Sequence, residues 1–213
     1  MEFSKYQNAL QQRPLQGYIT VDEKASVREQ IESVQLDNDA MLFLQAVCAE
    51  INYSEQYGIK RASDPISQDT HDLQYAGVAV KNSLSPRSDM AAEEYAKAIA
   101  WFLGESKVRL DHMLYVLPYV FAPKAVFTDD YINKHGNKRK SGLTMHLAHE
   151  VMRQIHERYV KDVQPMKNLI AKIQKGGLSK EEIDALKAED YDHPLMKDLI
   201  ECAKTQDDKA FYE

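Results

Sequence analysis

The residues of this chain that could do chemistry fall into four small groups. Arg87 stands behind Ser85 and Pro86 in a Ser-Pro-Arg run. Proline is well tolerated in the first turn of a helix, where its missing N–H is not needed. An arginine there joins a permanent charge and a planar fork of donors to the positive end of the helix dipole, an arrangement suited to phosphate oxygens. Taken alone, the same run also describes an ordinary solvated surface residue. His146, His149, Glu150 and His156 form the second group. On a helix His146 and Glu150 share a face, as do His149 and His156. Zinc wants two ligands at i, i+4 and a third from elsewhere. His-Glu-x-x-His is absent because position 153 is Arg, so these residues read as solvated or hydrogen-bonded helix histidines with no metal set. Lys138, Arg139 and Lys140 make a basic tip beside Lys134 and His135, suited to nucleic acid or an acidic partner. In a chain of net charge -6 a solvated loop is the plainer reading. Asp129-Asp130 and Asp207-Asp208 pair carboxylates, but without a neighbour that suggests acid–base work. They read as helix caps or surface charge.

Absences decide as much as presences. No Gly-x-x-x-x-Gly-Lys-[Ser/Thr] phosphate loop occurs, and no hydrophobic strand ends in an acidic pair able to hold Mg²⁺. The 213 residues alone are therefore not expected to hydrolyse ATP, and no catalytic residue is assigned. Hydrophobic residues make up 44% and charged residues 28%, an ordinary globular balance. Net acidity argues against general attraction to nucleic acid or an anionic membrane. Cys48 and Cys202 are far apart and read as reduced thiols. No run of 18 apolar residues and no signal-peptide pattern is present, so a cytoplasmic protein is expected.

The elements that must position these groups are helices. Glycine and proline are sparse, at 8 and 7, while Ala, Lys, Glu, Gln, Met and Leu dominate, so an all-α fold is expected. Thr20 and Glu23 make a capping box that opens a helix to about Val34, with Ala25, Val27 and Ile31 inward. Asp37-Asn38-Asp39 caps a second, strongly amphipathic helix (Met41, Leu42, Leu44, Val47, Cys48, Ile51) that ends near Tyr57-Gly58. Residues 58–82 lack a helical period and read as a functional or mobile loop with a short strand or hairpin around Leu73–Val80. From Pro86 a helix with Met90, Ala91, Ala96, Ile99, Ala100 and Leu103 inward runs to Gly104. A link carrying Val108 leads to a helix with Met113, Leu114, Val116, Leu117 and Val120 on its apolar side. Thr128 starts a brief helix ending at His135-Gly136. A long helical period covers Leu143 to about Lys175, with a kink or break expected before Pro165. Ser179 and Glu182 form a second capping box, and Pro194 opens the last helix. The methionines Met145, Met152, Met166 and Met196 read as core.

The order Ser85-Pro86-Arg87, Gly104-Glu-Ser-Lys-Val108 and Val116-Leu-Pro-Tyr-Val120-Phe-Ala-Pro-Lys124 resembles the C-terminal lid of an AAA+ ATPase of the MoxR branch. The resemblance covers roughly residues 14–124 and is most specific over Ser85–Val120. It implies a helical lid-like domain over 1–124, with 125–213 as a helical extension. It also implies that Arg87, with Ser85, senses the γ-phosphate of a nucleotide held by a separate α/β core. Pro123-Lys124 replaces the family's His-Arg, and Glu105-Ser106-Lys107 replaces its Arg-bearing turn. The implied function is the lid and C-terminal portion of a chaperone-like, oligomeric ATPase, coupling nucleotide state to ring assembly and partner remodelling. ATP and Mg²⁺ then belong to the complete ATPase and no cofactor to this chain alone. Its partners are the AAA+ core, neighbouring subunits and a client protein, with Lys138, Arg139 and Lys140 a weak candidate contact. The alternative is a free-standing helical adaptor using the 58–82 loop and the basic tip for protein contacts, without nucleotide function.

Overall fold

The computed structural model describes residues 20–52, 76–82, 84–136, 141–175, 178–189 and 193–210, with side chains of the last helix described to Ala203. The architecture is all-α. In chain order the elements are α1 (Val21–Ser33), β1 (Gln35–Leu36), α2 (Asn38–Ile51), a 3-10 turn (Ala76–Val78), α3 (Pro86–Phe102), β2 (Lys107–Val108) and α4 (Leu110–Phe121). Then follow α5 (Asp129–His135), α6 (Leu143–Gln174), α7 (Lys180–Ala188) and α8 (Pro194–Ala210).

Local chemistry sets the helix starts as the sequence foretells. Thr20 Oγ1 accepts the Glu23 N–H while the Glu23 carboxylate accepts the Thr20 N–H, and Ser179 and Glu182 repeat the exchange. Asp37 caps α2 through the Asp39 N–H, and Thr128 caps α5 through that of Tyr131. Pro86 occupies the first turn of α3, and Gly104, at φ 77°, takes the left-handed turn that ends it.

The first and second helical segments are tied to the α3–α4 link by a parallel pair, Gln35 opposite Lys107 and Leu36 opposite Val108. Helix α3 lies close along α4 because its inner stripe is small: Ser88, Ala92, Ala96 and Ala100 are all buried. Met113, Val116, Leu117, Val120 and Phe121 of α4 fill the layer between α3, α2 and α6. Helix α8 then packs on α2 and α6 through Leu195, Met196, Ile200 and Ala203. Residues from Val34 to Ala203 share one apolar cluster, so helices on both sides of position 124 contribute to the same core.

Several expectations are corrected. Helix α2 stops at Ile51 with Asn52 as its cap, about six residues before Tyr57. Asn52 still donates its backbone N–H to the Cys48 carbonyl, while its side chain accepts the Leu84 N–H. Ala25 is exposed and α1 buries no residue fully; the helix is tethered instead by the Trp101 indole N–H donating to Gln30. Met90 points outward at 63% exposure, since α3 turns its alanine stripe, not its bulkiest side chain, toward α4. Helix α6 runs unbroken through Pro165. The lost hydrogen bond is tolerated where Asp162, Met166 and Leu169 hold both sides of the proline in buried contacts. Of the 58–82 loop only 76–82 is described. It holds the 3-10 turn and an antiparallel bridge from Val80 to Phe127.

Candidate functional site

Two polar constellations stand out, one open and one closed. The open one is the start of α3. Ser85 is the N-cap residue, in extended conformation, and makes no side-chain capping bond; its hydroxyl lies 3.2 Å from that of buried Ser88. Arg87 is exposed and makes no ion pair or hydrogen bond among the described residues. Lys124, arriving from the end of α4, donates to Ser88 Oγ at 3.1 Å. Asn82 pins that segment by donating to the Lys124 carbonyl (2.9 Å) and accepting the Val126 N–H (2.8 Å). Leu84, immediately ahead of Ser85, donates its N–H to Asn52 Oδ1 at 2.8 Å. The helix start is thus held rigidly from two sides while its charged side chain is left free to meet an anion.

The closed constellation centres on Glu50, which is fully buried in the last turn of α2. Arg158 of α6 grips it with both ends of its guanidinium, Nε donating to Oε1 at 2.7 Å and Nη2 to Oε2. The Ala76 N–H donates to Oε2 at 3.1 Å. His193, also fully buried, precedes α8. Its Nδ1 accepts the Leu195 N–H at 3.1 Å, so the proton of the neutral ring belongs on Nε2. That Nε2 lies 3.3 Å from Glu50 Oε1 but is too poorly aligned to be a hydrogen bond. Asp162, one turn beyond Arg158 on α6, accepts the His193 N–H at 2.9 Å. Burial pushes the Glu50 carboxyl above its ordinary value, and the guanidinium and the Ala76 N–H pull it back. Burial, with Arg158 next door, pushes the His193 imidazole down to about 3, so the ring stays neutral.

This second cluster was missed by the sequence reading. Its signal was a carboxylate on an apolar stripe: Glu50 follows Phe43, Ala46 and Val47 at the i, i+3, i+4, i+7 spacing of a buried face. Such a residue is almost never buried without a partner. Arg158 lies on the equivalent inner side of α6, near Ile155 and Tyr159.

The other candidates are dispersed. His146 Nε2 lies 3.2 Å from the His135 carbonyl, His149 meets Tyr119 edge-on, and His156 meets Phe43 edge-on. Glu150 is held by Arg153, which lowers its carboxyl to about 2, and by Gln154. Among the described residues no group of three His, Cys, Asp or Glu could hold a metal ion. Asp129 and Asp130 lie in the first turn of α5, where Asp129 approaches Lys81 at 3.9 Å. Lys138, Arg139 and Lys140, and the side chains of Asp207 and Asp208, lie outside the described residues. Cys48 donates to Asp89 at 3.2 Å, and burial raises its thiol, which makes it a poor nucleophile; Cys202 is exposed. No described helix is long and apolar enough to cross a membrane.

Comparison of the chain with protein-family models, with curated proteins and with solved structures finds no match. The functional reading therefore rests on the residues and on their geometry.

Proposed function

We propose that this chain is the lid and C-terminal portion of a MoxR-like AAA+ ATPase, in which Arg87 senses bound nucleotide. The observation that carries the reading is an exposed, unpaired Arg87 on the first turn of α3, behind Pro86 and Ser85. An arginine there gains from the helix dipole, and a solvent-facing guanidinium is free to form charge-assisted bonds with a γ-phosphate presented by a separate core. The order that follows it, a helix closed by Gly104, a short strand at Val108 and then α4, supports the same reading. On this view ATP and Mg²⁺ are held by the core, Ser85 shapes the helix start, and the helices after Lys124 contact a client or a neighbouring subunit.

The test is steady-state ATP turnover of the complete ATPase carrying this chain. Arg87→Ala is expected to lower kcat by about 10²-fold, as for loss of one charged transition-state contact, with the helical circular dichroism unchanged. Unchanged turnover sinks the role.

A second reading, a helical adaptor without nucleotide function, draws on outward Met90 and Tyr95 of α3, 63% and 57% exposed. Crosslinking to a protein partner without nucleotide, insensitive to Arg87→Ala, selects it.

A further inference from the structure

We infer that docking of α8 sets the position of the Arg87-bearing end of α3, acting through the last turn of α2. The inference deepens the lid reading and rests on it only for what Arg87 does. The last turn of α2 faces two ways. Toward the chain that leads into α3, Glu50 Oε2 accepts the Ala76 N–H and Asn52 Oδ1 accepts the Leu84 N–H. Gly77 packs so closely that a Cβ there would lie 2.9 Å from the Glu50 carbonyl oxygen. Toward the C-terminal helices, the same Glu50 carboxylate is gripped by Arg158 and roofed by His193 at the head of α8. One side chain therefore joins the re-entry point of the chain to the seat of the last helix.

The physical link is the dryness of the ion pair. With α8 in place, His193, Leu195 and Met196 are buried, the Glu50 carboxylate has no exposure, and only 14% of the Arg158 side chain meets solvent. A buried pair of this kind holds firmly because separating it strands a charge. With α8 lifted, water reaches the carboxylate and competes with Arg158 and with the Ala76 N–H, and an exposed ion pair restrains little. The last turn of α2 then frays, as helix ends do when nothing holds them. Leu84 loses its acceptor on Asn52. The far side of the α3 start stays tied to the end of α4 through Lys124–Ser88 and Asn82, so the helix start pivots. The two states are α8 seated and α8 lifted, and both ends of the path bias the same helical turn.

The experiment is amide exchange read residue by residue on the 213-residue chain without nucleotide. His193→Gln removes the imidazole that caps α8 and roofs the pair. Exchange at Ala76 and Leu84 is expected to rise about tenfold, while the amides of Val116, Leu117, Tyr119 and Val120 in α4 that exchange by local opening keep their rates. No change at Leu84 overturns the inference. So does an equal rise everywhere, which is a plain loss of global stability. Should His193→Gln not fold, Met196→Ala, which trims a fully buried α8 contact, is read against the same two outcomes. A selective rise together with ATP turnover unmoved by Arg87→Ala leaves the mechanical link standing and removes only the nucleotide-sensing meaning of Arg87.

Discussion

Arg87 and Arg158 carry the same guanidinium in opposite surroundings. Arg87 projects from a helix start into solvent with no described partner, whereas Arg158 is 14% exposed and closes both donors on a carboxylate with no exposure at all. The first arrangement is poor for stability and good for recognition, because the charge is not yet spent on a partner. The second is the reverse: its desolvation is offset only while Glu50, Ala76 and the neighbouring His193 stay in register. The difference separates what this molecule offers to others from what it needs for itself.

The sharpest way to break the comparison is to remove each arginine in turn. Arg158→Ala leaves a fully buried carboxylate without its counter-charge and is expected to cost about 3–5 kcal/mol in a urea titration. A loss under about 1 kcal/mol, the size of a surface pair, would falsify the closed-cluster account.

Acid sharpens it next. His193 stays neutral in the folded chain down to about 3, but in the unfolded chain it takes up a proton near the ordinary value of about 6.5. Protonation thus favours unfolding between those limits: stability is complete above about pH 6.5 and falls as pH drops. Burial shifts His135, His149 and His156 in the same direction. The raised carboxyl of Glu50 works the other way, because the folded state binds its proton more readily than the unfolded chain does. The urea midpoint is expected to fall from pH 7 to pH 5, and His193→Gln to flatten that slope while lowering the midpoint at pH 7. An unaltered slope in the variant would remove His193 as its source.

The smallest effect is expected where the charge is open. Arg87→Ala should change folding stability by no more than about 0.5 kcal/mol, the range of a surface substitution. A larger loss would mean that Arg87 is engaged in the fold and is not held in reserve.

Much of the frame was legible in the residues. The capping boxes at Thr20 and Ser179, the caps at Asp37 and Thr128, Pro86 and Gly104 each announce a helix boundary through local hydrogen-bonding chemistry, and the structure follows them. Tertiary choices were not legible. Met90 and Ala100 both match the helical period, yet only Ala100 faces inward, because α3 meets α4 along a stripe small enough for close approach. Pro165 reads as a kink or a break, and the break does not occur: the proline is carried inside α6, whose buried flanks hold the helix on both sides. The open site could be read because Ser-Pro-Arg is contiguous. The closed one is signalled only by Glu50 on its apolar stripe, since its four side chains come from three separate stretches that only folding brings together.

That separation has a consequence for the birth of the chain. The Glu50–Arg158 contact spans 108 residues. At ribosomal rates of about 5–20 residues per second, Glu50 is added roughly 5–20 s before its counter-ion exists. During that interval α2 carries a charge on the very stripe it must bury, and it has nowhere to put it. Completion of the α2 core must wait for the middle of α6, so a ribosome stalled short of Arg158 would hold out a chain with its oily stripe still uncovered, the state that chaperones are made to recognise.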